Sequence, residues 1–384
     1  MERAHRIVDP CARENRRADI RMTQDTSTLA WEAYRDRELA IIRPMLSRLG
    51  FSLDEEQIHT KGERSVMSDG KMILLGRRIS DGKRVAIKAS SQKNGQSEMK
   101  RERACQNMLS GIRFAYETLL SPEQIAWHEE NGYLISITEF IEQDCPFLDR
   151  PLKDQFFFAL HALEAQERAH ATTYEHARMI QKTFGLFHAS TYIQTFDSYL
   201  QDIHTLLPHD ARLHAIVDRA IKQIQDRAYR IDQYGRFLTH WDFVPHNFRI
   251  RDQHIYLLDH SSIRFGNKYE GWARFLNFML LHNQNLEHAL VQYVSDNRTP
   301  EELESLQAMR IYRLGELIRY YAKRVQKSTG NLQKLDTERI AFWTDVLESV
   351  LEQKSINETR IAAYQSIRDA LRSDEEKERQ KELH

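Results

Sequence analysis

The sequence changes character near residue 142, and that change limits the fold more than any other feature. Before it, short β-like runs are joined by hairpin signals; after it, helical periodicity dominates. Residues 71–79 (KMILLGRRI) and 84–90 (RVAIKAS) are β-like, with the tight-turn pair Asp81-Gly82 between them. Residues 96–110 carry helix-favouring types and offer Met99, Ala104, Met108 and Leu109 to an inner face. Two further β-like runs, 124–129 and 133–141, flank Asn131-Gly132, so the order is strand, strand, helix, strand, strand. Helices are then expected at 151–172, 189–205 and 209–232, and, after one β interruption at 236–263, at 270–293, 300–328, 334–353 and 356–382. The pattern predicts an α+β chain with two lobes: a small antiparallel sheet lobe with one key helix, and a larger, mostly helical lobe. The divisions are an N-terminal helical extension over 1–45, the sheet lobe over 46–142 and the helical lobe over 143–384.

Bulk properties remove several functional classes. A chain of 384 residues that is 41% hydrophobic and 29% charged has the make-up of an ordinary water-soluble domain pair. No run approaches the roughly 20 apolar residues of a membrane span. The first 21 residues are dense in Arg, Glu and Asp, with no apolar signal-peptide core, so a cytoplasmic location is expected. A net charge of −1 gives no electrostatic case for nucleic-acid binding. Cys11, Cys105 and Cys145 are too widely spaced for a zinc or disulfide framework. His161, His170, His176 and His188 share no helical face at metal-ligand spacing. Nothing in the sequence sets the oligomeric state.

Chemistry concentrates in His240-Trp241-Asp242-Phe243-Val244-Pro245-His246-Asn247 and the following Leu257-Leu258-Asp259. An Asp five residues before an Asn, with a second Asp twelve residues later at the end of an apolar strand, suits magnesium-dependent phosphoryl transfer. That reaction needs an acceptor for the incoming hydroxyl's proton and hard oxygen ligands holding magnesium against nucleotide phosphates. A loop between two short strands can offer Asp242 to the hydroxyl and Asn247 to the metal, and the strand HIYLLDH brings Asp259 to the same ion. The plainer alternative is a loop in which Asp and Asn cap turns.

Upstream, Val85-Ala86-Ile87-Lys88 puts a lysine inside a β run. A lysine in a half-buried strand needs an anion. Glu102 in the next helix is the natural partner, Glu98 one turn earlier is the fallback, and an edge-strand lysine reaching to solvent is the bland alternative.

Taken together these residues resemble the protein-kinase-like superfamily, and within it the aminoglycoside/choline phosphotransferase type. The resemblance covers about residues 55 to 280 and rests on order: lysine, glutamate, hinge, catalytic loop, metal Asp. It implies ATP and Mg2+ as cofactors and a small-molecule hydroxyl as acceptor. By resemblance, Asp242 is catalytic with His240 supporting its loop, Asn247 and Asp259 hold the metal, and Lys88 with Glu102 orients the phosphates. Backbone groups of Glu139 and Ile141, in the hinge segment ITEFI, would meet adenine. Lys61-Gly62-Glu63-Arg64-Ser65 is the candidate turn over the phosphates, with Gly62 and Ser65 as contacts, or else a surface turn. Arg64 or Arg264 is a candidate extra cation, and Glu270 either steadies the catalytic loop or simply starts its helix. The acceptor would be recognised by the helical lobe, between about 151 and 232 and after 270.

The departures bear on function. Trp241 stands where this family often has Gly, and the G-x-G-x-x-G phosphate loop is absent. Asp259 is followed by His260-Ser261, with no Phe-Gly and no later Ala-Pro-Glu, which argues against a regulated protein kinase. A catalytically silent nucleotide-binding module, a protein kinase and a helical interaction protein with accidental motifs are the competing readings.

Overall fold

A computed structural model describes residues 24–63, 70–114, 119–170 and 173–383, so Arg64 and Ser65 lie outside the described residues. Alternation decides the first lobe. After helix α1 (Gln24–Arg48), strands β1 (Phe51–Leu53), β2 (Lys71–Arg78) and β3 (Arg84–Ser90) lead into helix α2 (Lys93–Ser110). Strands β4 (Gln124–Glu130) and β5 (Tyr133–Glu139) complete an antiparallel sheet in the order β1-β2-β3-β5-β4. Met72, Leu74, Val85, Ile87, Ile135 and Ile137 bury one face, and α1 seats Ile42, Met45 and Leu46 in the same core. The Asn131-Gly132 turn has φ of 51° and 80°, the left-handed pair a two-residue hairpin requires. Helix α2 starts three residues earlier than the composition suggested.

Past residue 142 the chain is helical, with more breaks than periodicity alone predicts. The run expected over 151–172 ends as α3 (Leu152–Arg168), and an unforeseen α4 (Tyr174–Phe184) follows. Thr173 caps α4 by accepting from the His176 N–H, and Gly185 at φ 71° stops it. Next come α5 (Ala189–Leu206), α6 (Ala211–Asp226) and α7 (Ala228–Gln233). The β interruption resolves into two ladders, one inside the other. Strand β6 (Phe237–His240) pairs with β9 (Ile263–Gly266), and between them β7 (Phe248–Arg251) pairs with β8 (His254–Leu257). This nesting sets loops 241–247 and 258–262 side by side.

Helices α8 (Tyr269–His282) and α9 (Gln284–Asn297) replace one expected helix, because the Asn283 side chain caps α9 by accepting from the Leu286 N–H. Helix α10 (Pro300–Val325) follows, opened by a capping box in which Thr299 and Glu302 bond reciprocally. Helix α11 (Gly330–Leu351) precedes α12 (Glu358–Leu371) and α13 (Asp374–Leu383), which split another expected helix. Among the described residues no helix is long and apolar enough to cross a membrane.

Helix α10 is the axis of this lobe and packs on α5, α6, α8 and α11. Gly315 makes that contact possible, since a Cβ there would fall 2.2 Å from a ring carbon of the fully buried Phe196. Alanine favours a helix over glycine by about 1 kcal/mol, but overpacking costs about 1–3 kcal/mol. Gly315→Ala is therefore expected to lower stability in urea unfolding; an unchanged or higher midpoint would show that Phe196 yields freely.

Candidate active site

Backbone bonds stitch the two central loops together. Trp241 N–H donates to Ser262 O at 2.9 Å and Leu258 N–H to Asn247 O at 2.8 Å. His240, 1% exposed at the end of β6, sets its Nε2 3.1 Å from both Leu258 O and Asp259 O. Two carbonyls make Nε2 the protonated nitrogen. His240 thus ties β6 to the turn carrying Asp259, while its own N–H donates to Gln166 Oε1 at 2.9 Å.

Asp242 is half-buried with both carboxylate oxygens occupied. Asn247 Nδ2 donates to Oδ2 at 3.0 Å and to the Asp242 carbonyl at 2.7 Å, and Arg274 Nε donates to Oδ1 at 2.8 Å. These acceptors fix the Asn247 amide with nitrogen toward Asp242, which leaves Oδ1 for another partner. Burial works to raise the Asp242 carboxyl, but the charges of Arg274, His246 and Arg313 outweigh it and hold the group below its usual range. Arg274 escaped sequence reading. Its one local signal is its place one turn after Glu270 in α8, which says nothing of a partner 32 residues upstream.

Trp241 is sandwiched. The guanidinium carbons of Arg264 and Arg313 each lie 4.9 Å from its ring centroid. Glu270, fully buried, accepts from Tyr192 Oη at 2.8 Å and pairs with Arg264 at 3.1 Å and Arg313 at 3.8 Å. Glu270 therefore holds the loop at Trp241 through two arginines, while the Gly271 N–H bonds Thr239 Oγ1 at 3.0 Å. The bulky residue at 241 is a fixed wall, and Arg264 is part of its clamp.

Lys88 meets Glu102 as the strand-and-helix order implied, with Nζ 2.6 Å from both carboxylate oxygens. Glu98 instead pairs with Lys71, a buried lysine at the start of β2 that the sequence did not single out. Asp259 sits in the left-handed region at φ 52° and accepts from Ser261 Oγ at 2.7 Å and Ser262 Oγ at 2.9 Å. Burial pushes its carboxyl up, yet the charges of Lys88 and Lys71 prevail and keep it well below the usual carboxylate range. The hydroxyl bonds orient an ionised carboxylate, and the free Oδ1 of Asn247 is a second hard oxygen. Both suit magnesium held largely by nucleotide phosphates. Among the described residues no group of three or more His, Cys, Asp or Glu forms a cage for a metal by itself.

The remaining expected contacts are dispersed. Glu139 donates its N–H to Glu123 O at 2.9 Å and pairs its side chain with Arg251 at 2.6 Å; Ile141 is 3% exposed. Gly62 is turned to the far end of the chain, where a Cβ would lie 2.6 Å from Glu376 Oε2, and the Glu63 N–H bonds that oxygen at 3.0 Å. The Glu63 side chain is buried between Arg324 and Arg339, with Asp336 beside them. Burial raises the Glu63 carboxyl, but the two guanidinium groups lower it further, to about 2. Because the folded value lies below the unfolded one, this pair stabilises above about pH 4.5 and fades toward pH 2. Glu63→Ala is expected to cost about 3 kcal/mol or more at pH 7, with the deficit in urea unfolding shrinking as pH falls through that window. A constant deficit would refute the electrostatic origin.

No family model and no curated protein matches the chain. Solved structures do. An aminoglycoside phosphotransferase, a thermostable APH(4)-Ia mutant in its apo form, superposes with TM-score 0.57 at 15% identity, over 80% of this chain and 97% of that one. The chain shares the kinase-like phosphotransferase fold. The GDP complex of an aminoglycoside 2'-phosphotransferase-IIIa mutant aligns with TM-score 0.53 at 12% identity, over 74% and 89%. Macrolide 2'-phosphotransferase type I gives 0.50 at 13%, over 81% and 97%.

Proposed function

We propose that this protein is an ATP- and Mg2+-dependent phosphotransferase that moves the γ-phosphate to a hydroxyl of a small molecule. The observation that carries the reading is the Asp242–Asn247 pair held one backbone bond from the Asp259 turn, with Lys88 and Glu102 facing that turn. The aminoglycoside phosphotransferase APH(4)-Ia has been solved with ADP and hygromycin B, which supports a nucleotide in the corresponding cleft.

Each side chain then has a task. Lys88, oriented by Glu102, binds phosphate oxygens; Asn247 Oδ1 and Asp259 hold the metal, which neutralises charge on the transferring group when bound. Backbone groups of Glu139 and Ile141 would bind adenine. Asp242, kept anionic, accepts a hydrogen bond from the incoming hydroxyl and aims its lone pair. A carboxylate of such low basicity orients the nucleophile, and the proton leaves late, as a loose transition state permits. Around Asp242 lie the guanidinium groups of Arg274 and Arg313, the latter paired with Glu270 and Glu316. Resemblance to antibiotic kinases does not by itself assign an antibiotic as substrate.

The direct test is transfer of label from γ-labelled ATP into a fractionated metabolite extract, with and without magnesium. Asp242→Asn is expected to lower transfer by about 10²–10⁴-fold while ATP still binds, and Lys88→Met to raise the KM for ATP. ATP binding with no transfer by the native protein to any fraction would instead favour the silent module.

Arg274 gives a second test. Without its charge the Asp242 carboxyl rises toward or beyond its usual range. Because the ionised form is the active one, the acid limb of kcat/KM moves to higher pH in Arg274→Gln and returns in Arg274→Lys. A lower rate with an unmoved limb would mean that Arg274 only packs.

A further inference from the structure

A charge is buried at the start of β2, where Lys71 is 7% exposed. The strand register decides which way it points. Lys71 lies opposite Ser90 and Ile73 opposite Lys88, so Lys71 and Lys88 leave the same face of the sheet as diagonal neighbours. Met72 and Leu74 alternate with them and fill the core on the other face. On the lysine face Ile73 is 36% exposed, whereas Lys71 is covered by helix α2. A Cβ on Gly95 would fall 2.4 Å from Ser90 Oγ and 3.2 Å from the Lys71 backbone nitrogen, so glycine is what lets the first turn of α2 come this close. Three residues on, Glu98 meets the Lys71 ammonium.

This pair borders the turn that carries Asp259. Ser261 Oγ lies 2.7 Å from Asp259 Oδ1 and 3.4 Å from Glu98 Oε1. A serine hydroxyl has one proton to donate, so two carboxylates stand over a single donor. The short bond goes to Asp259. Glu98 is a competitor kept at a distance, because Lys71 offers it an ammonium with three donors and a full charge.

We propose that Lys71 is a positioning residue for phosphoryl transfer: by holding Glu98 it leaves the Ser261 hydroxyl to Asp259, and so fixes the direction in which that carboxylate meets the metal. The inference rests on the phosphotransferase reading. It gives α2 two lysine–glutamate pairs with separate duties, Lys88–Glu102 toward the phosphates and Lys71–Glu98 toward the metal turn. Without Lys71, Glu98 draws the hydroxyl away and Asp259 loses its orientation; with Glu98 also removed, the hydroxyl returns. Charge alone predicts the reverse, since deleting a cation near Asp259 strengthens the pull of that carboxylate on magnesium.

The test is calorimetric binding of ATP to the full chain, once with magnesium and once with EDTA, the ratio of the two Kd values isolating what the metal adds. In Lys71→Met that ratio is expected to fall about tenfold, the usual cost of losing an outer partner of a metal ligand. The double variant Lys71→Met/Glu98→Ala is expected to recover most of it, which a merely structural lysine would not allow. Ser261→Ala is expected to show the same loss as Lys71→Met, and the two together no further loss, as members of one chain of contacts do. Lys71→Gln keeps a donor for Glu98 without the charge; it is expected to lose less, and it serves if thermal melts show the Met variant unfolded. A ratio unchanged or raised in Lys71→Met and Lys71→Gln overturns the proposal, and so does a double variant no better than the single one. Native protein whose ATP affinity ignores magnesium would sink the phosphotransferase reading itself, and this inference with it, before any variant is compared.

Discussion

A lysine cannot stay charged in a half-buried sheet without an anion close by. Here two such lysines, Lys71 and Lys88, enter from adjacent strands, and Glu98 and Glu102 on α2 each answer one. The cluster then reaches out of the first lobe, because both lysines also act on Asp259 in the second. An ionised Asp259 is thus set by charges that belong to the other lobe. Its serine bonds fix direction, and its left-handed backbone, uncommon outside glycine, is held by the same bonds. Remove the lysines and burial alone would press this carboxyl toward its neutral form.

Much of this was legible from residue order. Local chemistry carried the sheet lobe, since Asn131-Gly132 fixes its turn whatever lies elsewhere. It also carried the pairing of Lys88 with Glu102, which needs only a strand followed by a helix. What stayed hidden spans distance or subdivides a pattern. Helices α8 and α9 share a continuing periodicity, and only the side-chain cap at Asn283 parts them. Helix α4 is eleven residues long and half exposed, so its apolar stripe is short. Arg274 and Lys71 gain meaning from partners 32 and 27 residues away, and no local spacing encodes either pair.

Trp241 shows how a departure from a family pattern can be absorbed. A bulky ring beside Asp242 invites the inference of a blocked site. Its faces are instead occupied by two guanidinium groups that answer to one buried glutamate. The ring cannot swing, and Asp242 next to it inherits that rigidity. Fold similarity at 12–15% identity speaks only to the scaffold. The arginines around Asp242 belong to this chain, and they shape what can be offered to it.

The contact between Glu63 and Glu376 joins residues 313 positions apart. During synthesis the sheet lobe emerges first and can assemble early, because its strands pair over short sequence distances. Its first long loop cannot. The anchors for Glu63 arrive with α10 and α11, and Glu376 later still, with α13. Until then the Glu63 carboxylate lacks the guanidinium partners it has in the folded chain. The sheet lobe is thus tied down by residues as far as 313 positions further along the chain, so a growing chain would hold its sheet long before this loop is anchored.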